Sequence, residues 1–182
     1  MNMNLPVYIE KFVSVSEFVA FWSRQYTYDN EHLYDENIGK ELTEDRIWKL
    51  FLWKNGKPLS EKKRISVKQN FIDEKIVFPP DLDNIFLEIY LNRPGGAIWR
   101  IFWLHCNYPK KYPIYDQHVH RTMASMKKWK ELEIPYYNKS KVDCYISYYL
   151  PFWREFSDLP PKKVDEALWI YGKFLKSGYD FR

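Results

Sequence analysis

Apolar residues recur every three or four positions along most of this chain, which is the spacing of one helix face. Ser14-Val15-Ser16-Glu17 has the form of a capping box and leads into Phe18, Val19, Phe21 and Trp22. Residues 28–40 are polar and read as a loop. Thr43-Glu44-Asp45-Arg46 then opens a helix with Ile47, Leu50, Phe51 and Lys54, and Asn55-Gly56 ends it, with Pro58 just beyond. Ser60 is placed to cap a basic helix carrying Lys62, Lys63, Arg64 and Lys68, whose expected apolar face is Ile65, Val67 and Phe71. Phe78-Pro79-Pro80 breaks the pattern. Asp81 is expected to cap the next helix, through Ile85, Phe86, Ile89 and Tyr90.

Asn92-Arg93-Pro94-Gly95-Gly96 is the sharpest turn signal, with two of the six glycines side by side. Ala97 to Cys106 follows as an almost wholly apolar helix, and a helix apolar all round is a buried one. Pro109 to Pro113 forms a basic loop. Asp116 then caps a helix from Gln117 to about Lys130. The last third carries an apolar stretch from Tyr145 to Phe156. Pro160-Pro161 then starts a helix with Val164, Leu168, Tyr171, Phe174 and Leu175 on one face and Gly178 at its end. Lys75 to Phe78 is the best short strand candidate. With no repeat and no internal linker, the expectation is one mainly α-helical domain over 1–182, with its motif core at 85–130.

Composition narrows the class. Hydrophobic residues make up 46%, enough for a real core, and no apolar run approaches the ~18 residues of a membrane span. The start, Met1-Asn2-Met3-Asn4-Leu5-Pro6, lacks the basic and apolar regions of a signal peptide, so a cytoplasmic protein without a membrane partner is expected. Two cysteines, Cys106 and Cys144, are too few for a disulfide framework or a four-cysteine metal site, and read as buried thiols. Aromatic residues reach 19%; most belong in the core, while some are available to stack on bases. A net charge of +4 permits a polyanionic partner without requiring one.

The chemistry-bearing segment runs Pro94-Gly95-Gly96-Ala97, a buried helix, then Pro113-Ile114-Tyr115-Asp116-Gln117-His118-Val119-His120-Arg121. This order resembles the core of the helix-hairpin-helix DNA glycosylase superfamily. In that family a glycine-rich hairpin, a buried helix and a motif of the type V-D-T-H-V-x-R follow one another; Asp116, His118, Val119 and Arg121 match the motif here. The resemblance implies a two-lobed helical fold with a degenerate hairpin, DNA as partner, a role in DNA repair and Asp116 as the catalytic carboxylate with His118 beside it. A carboxylate there stabilises the positive charge that develops on a sugar as its base departs, or activates a water. The turn at Gly95 and Gly96 would offer backbone N–H groups to a phosphate, and the base would be flipped out of its stack. Bifunctional relatives have a lysine about eighteen residues before the Asp, where Ala97 and Ile98 stand here, so the resemblance implies hydrolysis without a lyase step. No cofactor and no metal are implied, and the iron–sulfur loop of some relatives is absent. A monomer is expected.

A narrower likeness is carried by Leu50-Phe51-Leu52-Trp53-Lys54-Asn55-Gly56-Lys57-Pro58-Leu59-Ser60, by Tyr112-Pro113-Ile114-Tyr115-Asp116 and by Ala167-Leu168-Trp169-Ile170-Tyr171-Gly172-Lys173-Phe174-Leu175. It is similar to a bacterial family described as having the 8-oxoguanine DNA glycosylase fold, some of whose members occur beside antiphage defence genes. Lys62, Lys63, Lys110, Lys111 and Arg121 are the candidate phosphate contacts, with pairing inside the fold the favoured role for Arg121. His118 and His120 are two apart on a helix and face different ways, so they are not a metal pair; His105 reads as a satisfied core histidine. Three readings stay open: a glycosylase using Asp116; an inactive DNA-binding or defence-complex module in which Asp116 is only a helix cap; and cleavage of free nucleosides or nucleotides.

Overall fold

The computed structural model describes residues 12, 14–74, 76–79 and 81–177. Of these, 62% are helical and none is in a strand, so the protein is mainly α. The expected strand at Lys75 to Phe78 is not formed at residues 76–78, and Lys75 lies outside the described residues, as does Gly178.

Helix α1 (Val15–Arg24) begins where Ser14 accepts a bond from the Glu17 N–H, and α3 (Glu44–Asn55) where Thr43 accepts from Arg46. Between them the expected loop contains a short helix, α2 (Glu31–Asp35), whose Tyr34 is buried. Its five residues are too few to show a periodicity, and its burial comes from tertiary contact with α3. Helix α4 (Glu61–Val67) starts after Ser60, whose side chain makes no capping bond, and runs on through a π-helical turn, Lys68–Ile72. Val67 and Phe71 face the core as expected, but Ile65 is exposed. The cap of α5 (Asn84–Leu91) is Asp83, which accepts from the Phe86 N–H, and not Asp81. This helix buries Leu87, Tyr90 and Leu91, so the opposite residues, Ile85 and Ile89, are exposed rather than in the core.

Helix α6 (Ala97–Asn107) is the buried centre: Ala97 and every residue from Arg100 to Cys106 are buried. It packs against α5 and against α8 (Asn138–Cys144), which continues through a second π-helical turn into α9 (Leu150–Arg154). Arg100 is fully buried yet satisfied, donating to the Pro94 and Asn70 carbonyls (2.6 and 3.2 Å) and to Glu74 (2.7 Å), so it staples the turn before α6 to the π-helical segment.

Helix α7 (Gln117–Met126) ends four residues earlier than the pattern suggested. Helix α10 (Pro161–Lys176) packs on both α1 and α7. Its approach to α7 is unusually close at Gly172: a Cβ there would lie 2.9 Å from Thr122 Oγ1 and closer still to the His118 carbonyl. Two bonds fasten the crossing, Thr122 Oγ1 to the Leu168 carbonyl (2.6 Å) and Arg121 to the Gly172 carbonyl (3.1 Å). This crossing sets the position of the α7 N-terminus, where Asp116 stands.

Candidate active site

Asp116 is the N-cap of α7. Its Oδ1 accepts the backbone N–H groups of His118 (2.9 Å) and Val119 (3.3 Å), and its Oδ2 accepts from Lys54 Nζ at 3.0 Å. Lys54 comes from the last turn of α3, sixty-two residues earlier, and lies over the Phe102 ring. The side chains of Lys54 and Asp116 keep only 10% and 18% of their surface exposed, so solvent screens this pair far less than a surface salt bridge. Burial by itself would raise the Asp116 carboxyl. The Lys54 ammonium, helped by His118 and its backbone N–H, outweighs it and holds the carboxyl below its ordinary value.

The pair stands at the wall of a cleft of about 470 Å³, within the range of about 300–1,000 Å³ typical of small-molecule sites. Its aromatic lining consists of Tyr26, Tyr28, Trp53, Trp99 and Trp169, with Ile98, Ile134, Asn55, Gln117, His118 and Lys141 between them. Several rings are fixed by their polar ends. Tyr28 donates to the Trp53 carbonyl (2.9 Å), while Tyr26 Oη and Trp53 Nε1 both donate to Glu31 Oε2 (3.0 and 2.9 Å). Glu31 in turn pairs with Lys162 of α10 at 3.2 Å. Helix α2 therefore serves to hold one wall of the cleft. Burial, then the Asp116 charge, pushes the Tyr28 phenol up, so it remains a neutral donor.

His118 is half-buried in the cleft with its ring edge-on to Trp169 at 5.1 Å. Burial lowers its imidazole below the usual value, against the opposing pull of Asp116. A neutral imidazole beside an ionised carboxylate can accept or relay a proton near neutral pH. Among the described residues, no group of three or more His, Cys, Asp and Glu side chains could hold a metal ion. None of their helices is long and apolar enough to cross a membrane.

No family model, no curated protein and no solved structure matches this chain.

The expected site residues are not all at this cleft. Lys63 flanks it, donating to Asn55 Oδ1 (2.5 Å) and lying over the Trp99 ring (5.7 Å); Lys62 is exposed next to it on α4. Gly95 and Gly96 do form the tight turn into α6, both with positive φ (112° and 87°). At Gly95 a side chain would also press on Phe71, at 3.0 Å. The Ala97 N–H after the turn is taken by Asn138 Oδ1 (3.4 Å). Lys110 and Lys111 line a separate depression with Lys40 and Tyr108, which shares no residue with the Asp116 cleft, and Lys111 faces Asp81 at 3.5 Å. Arg121, a candidate phosphate contact, takes the in-fold role: it is buried, and its guanidinium pairs with Glu133 (2.8 Å) and the Gly172 carbonyl, fixing α7 to α10. His105 is buried as expected, between the Tyr34 hydroxyl (2.7 Å) and the Tyr112 carbonyl (2.8 Å), and burial lowers it to about 4. Cys106 and Cys144 are buried free thiols.

Sequence reasoning missed Lys54 as a partner of Asp116, and missed the aromatic walls. One signal was present. Lys54 falls seven residues after Ile47 and four after Leu50, on the helix stripe that both turn into the core. A lysine on an inward stripe calls for a buried counter-charge.

Proposed function

We propose that this protein binds nucleic acid across the aromatic cleft and hydrolyses the N-glycosidic bond of a nucleotide inserted into it, with Asp116 as the catalytic carboxylate. The observation that carries this reading is the placement of an ionised, cation-paired carboxylate on the wall of a cleft lined by five aromatic rings. The rings provide faces for a base, and the carboxylate provides charge where its sugar would lie. As the C1′–N bond breaks, its electron pair leaves with the base, which takes up a proton, and positive charge develops at C1′. Asp116 stabilises that charge. Water then adds at C1′ and gives up a proton, which His118, a residue of the same cleft, accepts. Lys54 keeps Asp116 anionic before substrate arrives, and Lys62 and Lys63 supply phosphate contacts on one flank.

A second reading is favoured by one specific feature: both carboxylate oxygens of Asp116 are already engaged inside the protein. That is also what a purely structural cap does, and it suits an inactive nucleic-acid-binding module, including one within a defence complex. Incubation with oligonucleotides carrying each normal base and a panel of damaged bases separates the two. The glycosylase reading predicts release of at least one base; binding without any release leaves the module.

A further inference from the structure

From the loop beside the cleft we infer that Tyr136 and Tyr137 form a stacking platform for unpaired bases next to the nucleotide held in the cleft, so that the ligand is a single-stranded nucleic acid rather than a free nucleoside. This rests on the proposed function for the identity of the cleft ligand.

These are among the most exposed large hydrophobic side chains of the described residues, at 86% and 72%. Two adjacent tyrosine rings left that bare form an aromatic surface open to a stacking partner. Three tethers hold the segment at the cleft rim. Ile134, two residues earlier, lines the cleft. Lys141, which also lines it, donates to the Tyr136 carbonyl at 2.7 Å. Asn138, the next residue after the pair, accepts the Ala97 N–H at the start of α6, whose Ile98 and Trp99 line the same cleft.

The geometry and charge both point to a nucleic-acid strand. The two rings meet edge to face, with centroids 5.2 Å apart and planes at 89°. Rings at right angles cannot both slip into one continuous stack of paired bases. They can each cover the face of a separately oriented base, which a single strand offers and a duplex does not. In residues 127–141, Lys127 pairs with Glu155 (2.6 Å) and Glu133 with Arg121 (2.8 Å), which leaves Lys128, Lys130, Lys139 and Lys141 against Glu131. A surface of bare aromatic faces among unbalanced lysines complements bases on a phosphate backbone better than it complements an acidic or apolar protein face.

The test is equilibrium binding by fluorescence anisotropy at low salt. The probes are labelled oligothymidylate, oligouridylate, the oligothymidylate–oligoadenylate duplex, and unlabelled thymidine monophosphate as competitor. Wild type is expected to prefer the single strands to the duplex, with the two single strands distinguishing DNA from RNA and the mononucleotide competing poorly. Tyr136→Ala and Tyr137→Ala are each expected to weaken single-strand binding about tenfold or more, whereas Tyr136→Trp and Tyr137→Trp retain it. Tyr148→Ala is the control, because that exposed ring packs edge-on against Trp129 and does not line the cleft. All sites are exposed, and unchanged circular dichroism checks the fold. Alanine variants that bind as wild type does, tighter binding of the duplex, or no binding of any oligonucleotide would overturn the proposal. So would a change in sedimentation of the double alanine variant, which would make the platform a contact between two copies. Binding needs no base release, so a tyrosine-dependent strand affinity without glycosidic cleavage would sink the enzyme reading and leave the platform standing.

Discussion

Gly172→Ala tests whether the crossing of α7 and α10 determines the site's position. The added Cβ would lie 2.9 Å from Thr122 Oγ1 and much nearer to the His118 carbonyl, where ordinary contact begins at 3.4 Å; the His118 contact governs, so the two helices must part by well over half an ångström. That displacement carries the 3.1 Å bond between Arg121 and the Gly172 carbonyl beyond hydrogen-bonding range and stretches the 2.6 Å bond from Thr122 to Leu168. Overpacking a core typically costs about 1–3 kcal/mol, and loss of a buried bond to a charged group about 1.5–3 kcal/mol. Alanine recovers about 1 kcal/mol of helix propensity over glycine. The net expectation is a loss of about 3 kcal/mol, or roughly 6–12 °C in Tm for a chain of this size. Thermal unfolding followed by circular dichroism, with urea titration for the free energy, measures it. A variant at least as stable as wild type would show that helix propensity prevails and that the close crossing is not a constraint.

Other outcomes follow from the charges around the cleft. Burial pushes the Asp165 carboxyl up to about 7 from 3.8, so the folded protein keeps a proton there that the unfolded chain has already lost between pH 4 and 7. Stability from this group is full below about pH 4 and declines as pH rises through 7. Asp165→Asn, which can still accept the 2.9 Å bond from Trp153, should therefore raise stability by about 1–3 kcal/mol at pH 8 and change little at pH 4, as read by Tm against pH. Lys54→Met should destabilise at pH 7 by about 1–3 kcal/mol, because it leaves Asp116 without its counter-charge. Asp116 is held below its ordinary value, so that loss should fade as pH falls through the folded value and the carboxyl is protonated; a loss that does not diminish at all as the pH is lowered would assign the effect to packing. Oligonucleotide affinity should fall with salt, and Lys63→Gln should reduce the log–log slope by about 0.7 on a single strand, whereas Lys110→Gln and Lys111→Gln, in the separate depression, should not.

Local signals were legible in the chain. The caps at Ser14, Thr43 and Asp116, the turn at Gly95 and Gly96, and the buried α6 are each dictated by a few neighbouring residues, and each is found where the pattern places it. Where the chain offers two apolar faces, pattern alone does not choose between them. In α5 the spacing permits Ile85 and Ile89 inward as readily as Leu87 and Leu91, and packing against α6 selects the latter. The site itself is a long-range assembly. Its walls come from residues as far apart as Tyr26 and Trp169, and the partner of Asp116 lies on another helix. The sequence marks Asp116 as special, but only the fold brings Lys54 to it, turns Arg121 inward and moves Lys110 and Lys111 away.

The central claim is that Asp116 provides the charge for glycosidic cleavage, and single-turnover base release by wild type and Asp116→Asn tests it most directly. Asparagine also caps helices well, so the variant should still fold and bind oligonucleotide, with a stability loss of about 1–3 kcal/mol because Lys54 loses its counter-charge. Loss of the carboxylate's charge should slow release by roughly a hundredfold or more. Equal release rates would remove Asp116 from the mechanism, and absence of release from every normal and damaged base tested with wild type would contradict the enzyme reading altogether.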